Sequence, residues 1–380
     1  MIDNAGIYDV AIIGGGVGGL TLAIQCAGAG YKTILFEKEA YPYHKVCGEY
    51  ISMESFSFLQ QLGLNLSALN LPVINRLQLS DIHGNLYQFQ LPLGGFGISR
   101  YNIDHKLAQM AAEKGVTLLQ STKVTNISFE HDCFRIETSG ATYRAKTAVG
   151  AFGKRSNLDI GWKRNFITQK PDKLNNWVGV KYHIRFPFPH ANIALHNFKN
   201  GYCGISNIED GQCCLCYLTR AENLRDNENS IGKMEQNVLR KNPLLKEIFD
   251  KASFMYAQPL SISQVNFSPK TLVENHILLI GDAAGLITPL CGNGMSMAMH
   301  AGKLAFENID MFFRKNISRQ QMETSYQSQW KQQFSKRLFI GRTVQKLFGN
   351  NGITTGFLRI MSKLPWLAKK LISSTHGKPF

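Results

Sequence analysis

The stretch Tyr8-Asp9-Val10-Ala11-Ile12-Ile13-Gly14-Gly15-Gly16-Val17-Gly18-Gly19 decides how this chain folds. A short apolar run leads into glycines, and a helical pattern from Leu20 to Ala29 follows. Gly30 closes that helix, and Thr33-Ile34-Leu35-Phe36 reads as a second strand ending at Glu37. This is a βαβ unit whose turn carries the G-x-G-x-x-G spacing at Gly14, Gly16 and Gly19. The first glycine permits the turn, the second lets backbone approach a pyrophosphate, and the third lets helix pack on strand. The pyrophosphate then faces a helix N-terminus, where free N–H groups and the helix dipole favour an anion. Glu37, eighteen residues past Gly19, is placed to accept from a ribose 2′-hydroxyl, and Lys38 after it is a further cofactor-binding candidate. A carboxylate there disfavours a 2′-phosphate, so this first site is not an NADP site.

Beyond the unit, short alternating segments from Val73 to Ile98 are broken by His83-Gly84-Asn85 and Gly94-Gly95, as strand hairpins are. Asp104 to Lys114 is helical in pattern, and strands are expected near 116–120 and 134–138. Between Trp177 and Leu218, Val178, Val180, Tyr182, Ile184 and Phe186 alternate with other residues, and Glu209-Asp210-Gly211-Gln212 supplies a hairpin turn. One helix is expected over 230–251, and His276–Ile280 is a buried strand. The reading is an α/β chain: a Rossmann-type dinucleotide-binding domain (1–72, 99–160 and 270–315), interrupted by a β-rich substrate domain (73–98 and 161–269). A basic helical C-terminal region covers 316–380.

The second strand-to-loop exit separates one dinucleotide from another. The chain leaves the 276–280 strand at Gly281-Asp282-Ala283-Ala284-Gly285-Leu286 and runs through Thr288-Pro289-Leu290-Cys291-Gly292-Asn293-Gly294-Met295 into a helix. Asp282 can accept from a ribityl hydroxyl, and Gly292, Asn293, Gly294 and Met295 offer backbone N–H groups at a helix start. Such a start suits a flavin's pyrimidine edge, where negative charge develops on reduction. The cofactor expected is FAD.

Together with Ser99-Arg100, Asp104 and Leu107, these motifs resemble the FAD-dependent superfamily of geranylgeranyl reductases and single-component aromatic hydroxylases of the para-hydroxybenzoate hydroxylase fold. The resemblance covers most of the chain and implies that Arg100 lies at or near the FAD phosphates; alone, Arg100 is an ordinary basic residue preceding a helix. Tyr43-His44-Lys45-Val46-Cys47-Gly48-Glu49 resembles the reductases' Lys-x-Cys-Gly segment, which lies against the flavin, and so brings Gly48 to the cofactor. Cys47 is then a proton donor or a wall of the substrate pocket, and otherwise a buried hydrophobe. Glu49 is either an acid/base residue or a charge at a helix N-terminus.

Two departures divide the reaction. The hydroxylases' Asp-Gly pair is missing from Gly150-Ala151-Phe152-Gly153-Lys154-Arg155-Ser156, although Lys154 and Arg155 remain able to meet phosphates, and Gly285 stands where hydroxylases often carry His. The reductases' Tyr-x-Trp-x-Phe-Pro signature is broken at Tyr202-Cys203-Gly204-Ile205-Ser206-Asn207. One expectation is hydride transfer from reduced flavin to a carbon–carbon double bond of a large hydrophobic or aromatic substrate (lipid-, prenyl- or polyketide-like). The other is hydroxylation of an aromatic ring through a flavin hydroperoxide. NADH or NADPH is a candidate transient reductant. A third class is an electron-carrying or sensory flavoprotein.

Bulk properties bound the rest. A chain of 380 residues, 44% hydrophobic and 18% charged, is an ordinary folded protein with room for a large core. No run approaches the roughly 18 apolar residues of a membrane span, and the N-terminus does not read as a signal peptide. Eight scattered cysteines suit reduced thiols in a cytoplasmic enzyme. Cys213-Cys214-Leu215-Cys216 has the wrong spacing for a metal pair, so no metal is expected. The net charge is +15, of which residues 314–380 supply thirteen Lys or Arg against the single acid Glu323. Apolar residues such as Phe357, Leu358, Met361, Leu364, Leu367 and Leu371 are interleaved there. The pattern suits peripheral contact with an anionic membrane or an acidic partner; the competing reading is a solvated face of helices that cover a core. Nucleic acid is not an expected partner, because no recognition motif accompanies the charge.

Overall fold

The computed structural model describes residues 6–170, 175–349 and 351–380; residues 1–5, on which part of the leader reading rests, lie outside them. β1 (Tyr8–Ile13), α1 (Val17–Gly28) and β2 (Thr33–Phe36) form the expected βαβ unit. The helix begins at Val17, three residues ahead of the sequence reading, because its first glycines are packing positions. A Cβ on Gly18 would lie 2.8 Å from the Ala298 carbonyl, and one on Gly19 2.1 Å from the Gly14 carbonyl.

The chain continues through β3 (Tyr50–Ser52), β4 (Val73–Ser80), β5 (Leu86–Gly97) and α2 (Arg100–Glu113), which starts at Arg100 rather than Asp104. Then come β6 (Thr117–Leu119), β7 (Val124–Glu130), β8 (Cys133–Thr138) and β9 (Thr142–Gly150). A second run of strands is β10 (Trp177–Arg185), β11 (Asn192–Phe198), β12 (Gly201–Asn207) and β13 (Cys213–Arg220). After α3 (Ile231–Asn237) and α4 (Pro243–Lys251) follow β14 (Ser253–Phe254), β15 (Leu260–Val265), β16 (Val273–Glu274) and β17 (Ile277–Leu279). The chain closes with α5 (Gly294–Phe313), α6 (Arg319–Gln345), α7 (Asn351–Lys363) and α8 (Pro365–Thr375).

The strands form two sheets. In the first, the order is β16-β17-β9-β1-β2-β6, parallel from β17 to β6, with the β7–β8 hairpin joined to β9. β9 sits beside β1 at the centre, yet neither it nor β7 was legible in sequence: Arg144 and Lys146 interrupt its apolar pattern, and only its second half is buried throughout. The second sheet runs β14-β10-β13-β12-β11-β4-β5-β3, with β15 on β10. It therefore takes β3 out of the first stretch of chain. The Glu209–Gly211 turn joins β12 and β13, with Asp210 in the left-handed region at φ 58°.

One face of the second sheet carries Val180, Tyr182, Ile184, Leu215 and Tyr217 onto Met234, Leu245 and Ile248 of α3 and α4. The single helix expected over 230–251 is two helices. Pro243 cannot continue a helix from α3, and Asn242 caps α4 by accepting from the Leu244 N–H at 2.9 Å. By strand alternation the other face carries Gly179, Lys181, His183, Ser206, Cys214 and Cys216. That face meets the loops of the first sheet, and the site lies there.

Candidate active site

At the first turn, Gly14 has φ +113° and a Cβ there would lie 2.4 Å from the Ala151 carbonyl, so only glycine fits. Glu37, buried at the end of β2, accepts from the Gly15 N–H at 2.9 Å and the Glu39 N–H at 3.1 Å. Lys38 instead points to solvent, with its ammonium 3.6 Å from Glu39. A Cβ on Gly16 would lie 3.4 Å from Arg100 Nη2 and 4.0 Å from Lys45 Nζ. Two cations thus flank the glycines where a pyrophosphate would sit. Both are held by buried Asp104, which accepts from Arg100 Nε and Nη2 at 2.9 and 2.7 Å and lies 3.1 Å from Lys45 Nζ. Burial opposes charge on both cations; the Asp104 carboxylate outweighs it at Arg100, whereas burial prevails at Lys45 and draws its pKa down. Lys45 has no sequence signal of its own beyond its place in the Tyr43–Glu49 segment.

The second motif approaches from β17. Gly281, at φ +57°, turns the chain, and Gly281, Asp282 and Gly294 line one cavity. Gly292 is left-handed at φ +63°, and α5 begins at Gly294. The first bond of this helix is the Met297 N–H to the Asn293 carbonyl at 3.0 Å, so the N–H groups of Gly294, Met295 and Ser296 have no intrahelical acceptor. Asn293 is buried; its Nδ2 donates to the Thr375 carbonyl at 2.9 Å while its Oδ1 has no partner among the described residues. Lys270 Nζ donates to the carbonyls of Asp282 and Lys154 at 2.8 Å each, and burial pulls its pKa down to about 8. Burial raises the Asp282 carboxyl against the opposing pull of Lys154, Lys270 and Arg100, and it lowers Lys154.

These groups fit FAD: a glycine turn flanked by cations, the Glu37 carboxylate at the strand end, and a helix start with free N–H groups and an orphaned amide oxygen. Gly14, Gly16, Gly19, Glu37 and Arg100 would hold the adenosine-diphosphate half. Gly281, Asp282, Gly292, Asn293, Gly294 and Met295 would hold the flavin half.

Between the two motifs, the segment from Lys45 to Glu49 lies across the inner face of the second sheet. Lys181 on β10 donates from Nζ to Glu49 Oε1 and, at 3.1 Å, to the Lys45 carbonyl. His183, two residues on, donates from Nε2 to Glu49 Oε2 at 2.6 Å. The side chains of Glu49 and Lys181 are 0% exposed. The Arg100 N–H, at the first turn of α2, gives Glu49 Oε1 a further bond of 2.7 Å. Burial would raise the Glu49 carboxyl, but Lys181 and His183 hold it below the usual carboxylate range. Burial would likewise lower Lys181, and Glu49 holds it up. Glu49 is therefore a buried anchor whose oxygens are taken up by Lys181, His183 and the N–H at the start of α2. Its backbone, at φ +56°, is in a region unfavourable to Glu, and these contacts hold it there.

The anchor fixes Cys47. Its Sγ lies 3.9 Å from Met295 Sδ at the start of α5 and accepts from the Glu49 N–H at 3.4 Å, and its carbonyl accepts from Cys214 Sγ at 3.2 Å. Gly48 is exposed beside it, with its carbonyl 3.5 Å from Ser206 Oγ. Sequence reasoning missed Lys181 and His183 because it followed the apolar half of β10; a Lys and a His at alternate positions of a strand otherwise buried were the available signal. Cys213 points to the helical core while Cys214 and Cys216 face the Cys47 segment, and among the described residues no group of three His, Cys, Asp or Glu is placed to hold a metal ion.

Residues 7–331 match the FAD binding domain family. Conditioned medium factor receptor 1 of Dictyostelium discoideum is 26% identical to this chain, over 90% of the chain and 71% of the receptor. Digeranylgeranylglycerophospholipid reductase of Methanocaldococcus jannaschii is 24% identical, over 86% of this chain and 83% of the reductase. The structure of a flavin-dependent brominase superposes with a TM-score of 0.76 at 19% identity, covering 97% of this chain and 93% of the brominase.

Proposed function

Since the chain belongs to the FAD binding domain family and is an FAD-dependent oxidoreductase, we propose that it reduces a carbon–carbon double bond in a large hydrophobic substrate. Bound and reduced, FAD supplies a hydride equivalent. The protein's part is to place the alkene and to deliver a proton to the carbon that does not receive the hydride. Cys47 is the donor in this reading: its Sγ–H bond breaks, the new C–H bond forms, and water returns the proton to the thiolate. The observation that carries the proposal is the placement of Cys47 Sγ 3.9 Å from Met295 Sδ, on a segment pinned by the Glu49–Lys181 pair. Likeness to the digeranylgeranylglycerophospholipid reductase supports the same direction.

Leu195, Tyr202 and Leu218 of the inner sheet face join Leu286, Phe348 and Leu358 in one cluster, and the Tyr202 hydroxyl accepts from the Leu290 N–H at 2.9 Å. The brominase structure shows that the same fold serves a different flavin-dependent reaction, and the second reading is hydroxylation of an aromatic ring through a flavin hydroperoxide.

One experiment separates them. Holoenzyme reduced with dithionite is mixed anaerobically with a polyprenyl lipid, and separately with an aromatic acceptor under ¹⁸O₂. The expected result is anaerobic flavin reoxidation by the prenyl lipid, with the alkane as product. Reoxidation by oxygen alone, with ¹⁸O in an aromatic product, overturns the proposal. Exchanging Cys47 for Ala is expected to lower kcat roughly 100-fold with KM unchanged, the usual scale for a general acid.

A further inference from the structure

We propose that the corner between α7 and α8 is a docking surface for an anionic lipid bilayer, on which the protein lies without crossing it. Along α7, Thr354, Leu358 and Met361 are buried and form the core-facing stripe. At 100° per residue, Ile353, Ile360 and Leu364 form a second stripe, roughly 40° wide, turned away from the first. These side chains are 50%, 55% and 38% exposed, and Trp366 at the start of α8 is 64% exposed. An exposed apolar stripe of this kind on a folded helix is surface without a partner inside the molecule.

Charge says what covers it. Arg359 and Lys363 border the stripe on the side opposite the core, and Lys369 and Lys370 stand exposed one turn beyond Trp366. Among the described residues none of the four is paired with a carboxylate, and no acid occurs after Glu323. Apolar side chains at the apex with cations around them match a bilayer whose acyl boundary takes the former and whose anionic headgroups take the latter. Trp366 stands where indoles favour the headgroup level. No helix among the described residues is long and apolar enough to cross a membrane. The opposite end of α8 reaches the site, because the Thr375 carbonyl accepts from buried Asn293 Nδ2. The docking corner and the start of α5 are thus two ends of one short helix.

The test is co-sedimentation of the full-length holoprotein with phosphatidylcholine vesicles, with and without 30% phosphatidylserine. The expected result is binding to the anionic vesicles only, weakened by salt. Exchanging Lys369 and Lys370 for Ala should weaken it about 30-fold, at about fivefold per lysine. Trp366→Ala should also reduce it, and all variants should keep the parental melting temperature and flavin spectrum, since these side chains are exposed. A double exchange at Lys315 and Lys331, equally exposed but away from the corner, should change binding little. The proposal is overturned by absence of binding, by equal binding to neutral vesicles, or by equal losses at the two lysine pairs. Salt-sensitive capture by an acidic protein in place of anionic vesicles overturns it as well.

Discussion

Removing one member of the Glu49–Lys181 pair should be far more damaging than removing both. In Lys181→Met the Glu49 carboxylate stays 0% exposed and keeps only His183 and the Arg100 N–H. A buried charge stripped of its partner typically costs about 3–5 kcal/mol. Globular proteins unfold with about 2.1 cal/mol/K per residue, about 0.8 kcal/mol/K for this chain, so the melting temperature should fall by about 4–6 °C. The double variant Glu49→Gln/Lys181→Met leaves no buried charge and keeps an acceptor for the Arg100 N–H, so most of that loss should be recovered. Urea unfolding of all four proteins gives the coupling energy. The pH dependence follows from the shifts. Glu49 is depressed in the folded state, so its contribution is complete above its unfolded pKa and is lost as pH falls through the lower folded value. Lys181 is raised, so its contribution is complete below its unfolded pKa and is lost only as pH rises through the higher folded value. The double variant should therefore lose part of the acid limb, while the slope of stability against pH near neutrality stays unchanged. A single variant within about 1 kcal/mol of the parent, or a double variant as damaged as the sum of the singles, would refute this account of the pair.

Glu37→Ala leaves two turn N–H groups without their charged acceptor, worth about 1.5–3 kcal/mol each, and FAD affinity measured by fluorescence titration should fall at least tenfold. Gly302→Val forces a side chain towards the Gly18 carbonyl, 2.9 Å from an ideal Cβ; separation of α5 from α1 should cost about 1–3 kcal/mol in a thermal melt. Burial draws His196 down to about 4, below an unfolded value near 6.5, so stability should decline as pH falls from about 6.5 towards 4, by an amount on the order of 3 kcal/mol. Urea unfolding of His196→Gln at pH 7 and pH 4.5 should show a shallower decline; an unchanged one removes His196 from the acid limb.

What could be read from the sequence was local. The turn from β1 to α1 lies within one continuous stretch, and each of its glycines answers a nearby backbone contact. The two turns that would hold FAD were legible for the same reason: each is a strand, a turn and a helix start in immediate succession. β9 was not legible, because what makes it central is its pairing with β1 and β17, and its own residues mix charge with apolar character. The anchor was hidden more thoroughly. Glu49 and Lys181 are 132 residues apart, and neither has a local pattern that announces a partner. Lys38, the cofactor-binding candidate next to Glu37, is exposed, because successive residues leaving a strand point in different directions.

Glu49 does more than hold a loop, and this bears on why the fold alone leaves the reaction open. Its Oε1 receives both Lys181 and the backbone N–H of Arg100, the residue whose guanidinium lies beside the phosphate-binding glycines. One carboxylate thus ties the sheet face, the Cys47 segment and the start of α2 together. In the reaction proposed above, the two glycine turns would hold the cofactor, and the group that meets the substrate would lie between them. Cys47 lies there, on a segment held by the buried Glu49–Lys181 pair. A change of reaction would be expected to show first at Cys47, Glu49, Lys181 and His183, while Gly14, Gly16, Gly19 and Glu37 stay fixed by the cofactor they would bind.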